Sequence, residues 1–248
     1  MVSYGVPVSS LTDLWDRLVG SQSAPPRLIV LGTAVLALAV VGPYRSWRIS
    51  RHVVTIAHEG GHALTALLTG RRLSAIRLHS DTSGLTVSAG RPTGPGMIAT
   101  SMAGYLTPSL IGLLGAGLLA TGRITLMLWA ALAVLAAMLV MIRNVFGVIS
   151  VLTTIAVIFV VSWFAPAQTQ AGFAYFSVWL LLGGAVRPIV ELQRMRRRGR
   201  VPYSDADQLS RLTRLPGLFW VAFFWIGTVA ALLFGGWLLL REMTRGWI

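Results

Sequence analysis

The stretch TIAHEGGHALTALL, Thr55–Leu68, places two histidines and a glutamate inside a run of apolar and small residues. His58 and His62 stand four apart. On an α-helix both imidazoles then project from one face, with their Cβ atoms about 5–6 Å apart, close enough to hold one metal ion. Glu59 is the next residue after His58. It is turned about 100° around the helix, off the ligand face but within reach of a metal-bound water. This is the H-E-x-x-H pattern, in which the glutamate is the general base of a hydrolytic zinc site.

The alternative is that the three polar groups only satisfy one another between helices. Each ionisable residue inside a membrane span costs about 2.5–3.5 kcal/mol on insertion scales, so three incidental ones at this spacing are hard to account for. Neutral imidazole suits zinc, and a catalytic zinc keeps one coordination position open. Gly60 and Gly61 fill the motif. Each costs about 1 kcal/mol relative to alanine in a helix, and their lack of a side chain lets another backbone come close, either a neighbouring helix or an extended substrate.

The surrounding chain explains why the motif lies in lipid. Of 248 residues, 55% are hydrophobic and 12% charged, and the mean hydropathy is +0.71. A soluble domain carries about 25% charged residues. Apolar runs of membrane-spanning length recur, at about 28–41, 52–69, 97–120, 124–142, 145–164, 172–192 and 216–240. The expected fold is an all-α polytopic membrane bundle of about seven spans. A polar segment, 1–27, precedes a single transmembrane domain over 28–240, and a short tail, 241–248, follows. The run RRLSAIRLHSDTSGLTVSAGRP is too polar to span. Its alternation around the turn signal DTSG predicts a small interfacial β-hairpin at about 71–93.

The 21 basic residues are all arginine, and the formal net charge is +13. In a membrane protein this excess orients loops and meets anionic lipid headgroups, so no nucleic-acid partner is expected. The arginine-rich loop at about 191–215 is expected on the cytoplasmic side, with the hairpin and Arg143 beside it. The arginines of YRSWRISR, read as a loop after the first span, fall on the wrong side of that scheme. The absence of cysteine removes disulfides, thiolate ligands and a thiol nucleophile.

An H-E-x-x-H inside a transmembrane helix, followed by a hairpin and further spans, resembles the site-2 protease family of intramembrane zinc metallopeptidases. The order of parts matches over about 53–152, and MAGYLTPSLIGLL, Met102–Leu114, is similar to the family's second core helix. The resemblance implies one zinc ion held by His58 and His62, with Glu59 as general base, acting on peptide bonds of membrane-embedded protein substrates. It also implies a multi-pass protein of a membrane, here expected to be a bacterial cell membrane.

The family's usual third ligand, the aspartate of an LDG motif, has no counterpart; RNVFGV, Arg143–Val148, stands at that place. A divergent branch carries an S-D-A element before its last span, and on that resemblance Asp205 of SDADQL is the first choice. Asp207, Asn144 and Glu191 stay open as ligands, and His79 and Asp81 are possible only if the hairpin folds back. Asp207 also fits a capping box with Ser204, and Glu191 an Arg187–Glu191 helix pair. Asn144 is a candidate catalytic donor to a developing oxyanion, with Arg143 beside it as a charge stabiliser or, more simply, as a helix C-cap. Two other functions stay open: a protease-like scaffold that binds membrane partners without cleaving, and a transporter or metal-handling protein. A scaffold would have no need of Glu59, and a transport path would spread polar residues through several spans.

Overall fold

The computed structural model describes residues 15–16, 18–199 and 204–241. The expectations for the polar segment over 1–14, for 200–203 of the arginine-rich loop and for the tail over 242–248 fall outside the described residues. The order of elements is α1 (Arg27–Val41), α2 (Tyr44–Leu68), β1 (Arg72–Leu78), β2 (Gly84–Ala89), α3 (Pro95–Ala120), α4 (Ile124–Leu139), α5 (Val145–Phe164), α6 (Ala167–Arg197), α7 (Asp205–Thr213) and α8 (Gly217–Arg241).

By length and composition, α3, α5, α6 and α8 can each cross a membrane. Their outward faces show why. Val145, Ile149, Leu152, Val160, Trp163 and Phe164 of α5 are all exposed, an apolar surface larger than a soluble monomer leaves uncovered. Lipid offers no hydrophobic drive between helices, so small residues set the packing. Gly112 and Gly115 of α3 let Leu182 and Val178 of α6 press onto the helix, and Gly235 of α8 admits Leu182 from the other side. Within GLLGAG, Gly112–Gly117, it is thus Gly112 and Gly115 that form the packing surface.

Among the described residues four helices, or five spans if one bent pair counts as one, are long and apolar enough to cross, fewer than the seven spans expected from hydropathy. The first two candidates, 28–41 and 52–69, belong to α1 and α2, which meet at a 104° bend and are long and apolar enough to span only as a pair. At 15 residues α1 reaches about 22 Å, short of a hydrocarbon core of about 30 Å. With 16 residues α4 is a shorter apolar helix. YRSWRISR is not a loop but the first two turns of α2.

The elbow between α1 and α2 is held by half-buried polar groups. Arg187 of α6 donates to the carbonyls of Val41 and, at 2.6 Å, Gly42. Its guanidinium also lies 5.1 Å over the ring of Trp47. Glu191 accepts from Trp47 Nε1 at 2.9 Å and from Arg187 Nε at 3.0 Å, and pairs with Arg51 at 3.1 Å. One wrong-side arginine is therefore consumed inside the fold.

Behind α2 the chain turns back at Gly70, whose φ of 73° suits a residue without Cβ. It then forms the expected hairpin. β1 and β2 are antiparallel, with Ile76 opposite Thr86, Leu78 opposite Gly84, and an irregularity between Leu73 and Ala75. The hairpin is stitched to two elements. Thr55 of α2 donates to Thr82 O at 3.0 Å. On the other side Ile76 N donates to Met141 O and Arg143 N to Ile76 O, at 2.9 and 3.0 Å.

Candidate metal centre

Three side chains from two distant segments converge. His58 and His62 project from α2 as their spacing requires, and Asp205 arrives as the first residue of α7. His58 Nε2 and His62 Nε2 are 3.1 Å apart, and Asp205 Oδ2 lies 3.3 Å from each. The backbone carbonyl of Thr100 lies 2.7 Å from His62 Nδ1. A carbonyl only accepts, so Nδ1 carries the hydrogen and the Nε2 lone pair faces the cluster.

Three electron-pair donors thus face one another. A tetrahedral zinc with bonds of about 2.0–2.1 Å has donor–donor edges of about 3.3–3.4 Å, close to the observed triangle. The donor set, two imidazoles and a carboxylate, is also one that zinc accepts. The residues present therefore fit a bound zinc ion. Burial alone would raise the Asp205 carboxyl; with no ion between them and the rings protonated instead of donating lone pairs, the imidazoles, that of His62 foremost, hold it below the ordinary carboxylate range.

The room for such an ion comes from α3. A Cβ at Gly104 would fall 2.4 Å from His62 Nε2 and 2.7 Å from His58 Cε1. Gly61 serves the opposite surface: a Cβ there would meet Thr107 Oγ1 at 2.2 Å, so α2 and α3 approach closely just beside the histidines. The ring of Tyr105 stands edge-on to His58, with centroids 4.8 Å apart, and stacks on Phe224 of α8 at 5.1 Å.

Glu59 is buried and turned from the triad towards the hairpin. Thr86 of β2 donates its hydroxyl to Glu59 Oε2 at 2.6 Å. Gly84, two residues earlier and so on the same face of the strand, has no Cβ because one would lie 2.4 Å from Glu59 Oε1. Thr86 and Gly84 escaped the sequence reading, although the alternation in GLTVSA puts them on one side.

The other candidates have other partners. Asp207 pairs with Arg196, and its backbone N–H is capped by Ser204. Glu191 is spent in the elbow. His79 lies 3.3 Å from the Ser83 hydroxyl, and Asp81 accepts from Ser83. Asn144 stands outside the triad: its Nδ2 donates to Leu78 O at 2.6 Å and its Oδ1 accepts from Leu78 N at 3.2 Å. Arg143 donates to Val140 O at 2.7 Å, the helix-capping use.

A family model described as Peptidase M50B-like matches residues 31–235. The chain belongs to that family, and with it to the site-2 protease family of membrane metallopeptidases. No curated protein and no solved structure matches it.

Proposed function

We propose that this chain is an intramembrane zinc endopeptidase that hydrolyses peptide bonds of membrane-embedded protein substrates. The observation that carries this is the triangle of donors from His58, His62 and Asp205, set at the edge lengths of a zinc tetrahedron, with Glu59 beside it. A zinc ion held there would supply Lewis acidity and lower the pKa of a water towards about 7. Glu59 Oε2 accepts from the Thr86 hydroxyl and Oε1 lies over Gly84; a turn of the side chain towards the triad would bring Oε1 to take a proton from the attacking water. The water oxygen bonds to the scissile carbonyl carbon, the C–N bond breaks, and Glu59 returns the proton to the departing nitrogen.

Elemental analysis of purified protein tests the metal. About one zinc per chain is expected in wild type, and its loss in His58→Ala and in Asp205→Ala. A folded wild type that takes up no zinc when supplied with it would end the protease reading.

A peptide bond in an intact helix is hidden, so the substrate must be extended at the site. The hairpin offers a place. Ile76 and Leu78 turn their backbone groups to the outer edge of β1, where 141–144 pair with them. In an antiparallel ladder the facing residues Thr86 and Gly84 then turn theirs to the outer edge of β2, where no strand pairs among the described residues. These are the two residues against Glu59. A substrate strand added here would run past the general base. The chain has no cysteine, so one placed at exposed Leu85 can be cross-linked to single cysteines along a cleaved substrate. Cross-links at every second substrate position are expected; a three-to-four-residue period would show a helical substrate and refute the added strand.

A further inference from the structure

Asp205 is delivered by α7, a nine-residue helix outside the spans. At its far end Trp220 Nε1 donates to Thr213 Oγ1 at 3.1 Å; nearer Asp205 there is one apolar contact and one polar contact. Ala206 and Leu209 are fully buried against Ile189 and Leu192 of α6 and Trp220 and Phe224 of α8. That contact is apolar and non-directional, so it keeps α7 in place without setting where its first residue points. The second contact is polar and surrounds Asp205 itself. Arg196, from the last turn of α6, donates to Asp207 Oδ1 and lies 3.4 Å from Ser204 Oγ through the same nitrogen. Ser204 Oγ in turn donates to Asp207 Oδ2 at 2.5 Å. The residues on both sides of the donor are therefore tied to one guanidinium.

The fold makes room for this. Arg194, Arg197 and Arg198 are exposed, whereas Arg196 is half-buried. Gly217, the first residue of α8, leaves its space open: a Cβ there would fall 2.3 Å from Arg196 Nη2.

We propose that Arg196 and Asp207 form a clasp that sets the position of Asp205, which makes Arg196 a positioning residue for the third metal donor. The inference rests on the metal reading of His58, His62 and Asp205. An ordinary ion pair at a helix start would affect stability; a clasp on the donor arm affects the grip on the ion.

Zinc dissociation constants of the purified full chain, measured by chelator competition alongside thermal midpoints, separate the two. Arg196→Ala and Asp207→Ala are each expected to weaken zinc by about 10–100-fold, the usual loss when a supporting partner of a metal ligand is removed. The double variant should be no weaker than either single one, because both remove the same contact. Exposed Arg194→Ala should match wild type. Zinc held within about twofold of wild type by Arg196→Ala, while Asp205→Ala loses it, would overturn the clasp and leave the metal site standing. Equal zinc affinity in Asp205→Ala and wild type would overturn both. Should Arg196→Ala not fold, Asp207→Asn decides on the same scale, since it removes the charge and keeps the backbone cap on Ser204.

Discussion

Glu59→Gln is expected to abolish peptide-bond cleavage while leaving about one zinc per chain. Glu59 is no part of the donor triangle, so its charge is not needed to hold the ion. A glutamine oxygen can still accept the Thr86 hydroxyl that now lies 2.6 Å from Oε2, so the side chain keeps its place against β2. What is lost is the ability to take a proton. A positioned general base contributes about 10²–10⁴-fold to rate, and cleavage should fall by that factor or below detection. The comparison needs zinc content and turnover of a membrane substrate measured on the same preparation. Undiminished cleavage would remove Glu59 from the chemistry. Loss of zinc would make it a ligand and displace Asp205 from that role.

Gly104→Ala should empty the metal site without touching a single ligand. By intrinsic propensity alone, alanine stabilises a helix interior by about 1 kcal/mol relative to glycine. At residue 104 the added methyl would lie 2.4 Å from His62 Nε2, so either the imidazoles rotate away from Asp205 or α3 shifts off α2. Overpacking of this kind costs about 1–3 kcal/mol, which corresponds to a loss of roughly 5–150-fold in zinc affinity if it falls on the site. Gly117→Ala, on the same helix with nothing within 4 Å, is the control and should bind zinc as wild type does. If both variants retain zinc equally, Gly104 is not what makes room for the ion.

Periodicity found the helices but misjudged how they are used. The run 28–41 is apolar enough to be read as a span, yet it stops short and bends into α2 at 104°. Hydropathy cannot report that bend, because what holds it is a set of contacts to Arg187 and Glu191, more than a hundred residues further along. The same contacts turn part of YRSWRISR from a headgroup-facing loop into helix packed on α6. The hairpin was legible because its alternation and turn are local. Its two-sided attachment, Thr86 to Glu59 and Leu78 to Asn144, was not. From the sequence Asn144 is a candidate oxyanion donor or metal ligand; in the fold its amide pairs with Leu78 at the edge of β1.

The sequence by itself determined the spacing of His58 and His62, the placing of Glu59 between them, and the membrane setting. Each follows from spacing along one helix or from composition, and both are local properties. Only the tertiary structure shows which carboxylate stands beside the two histidines. Asp205 and Asp207 lie two residues apart in the same acidic turn, and Glu191 is as acidic as either. The choice among them depends on the path of α6 and on a short helix docked between α3 and α8, with Arg196 drawing Asp207 one way and the histidines meeting Asp205 on the other. No periodicity records that division. It arises because side chains two apart on a helix point about 200° apart, so two residues of one turn can serve entirely different neighbours.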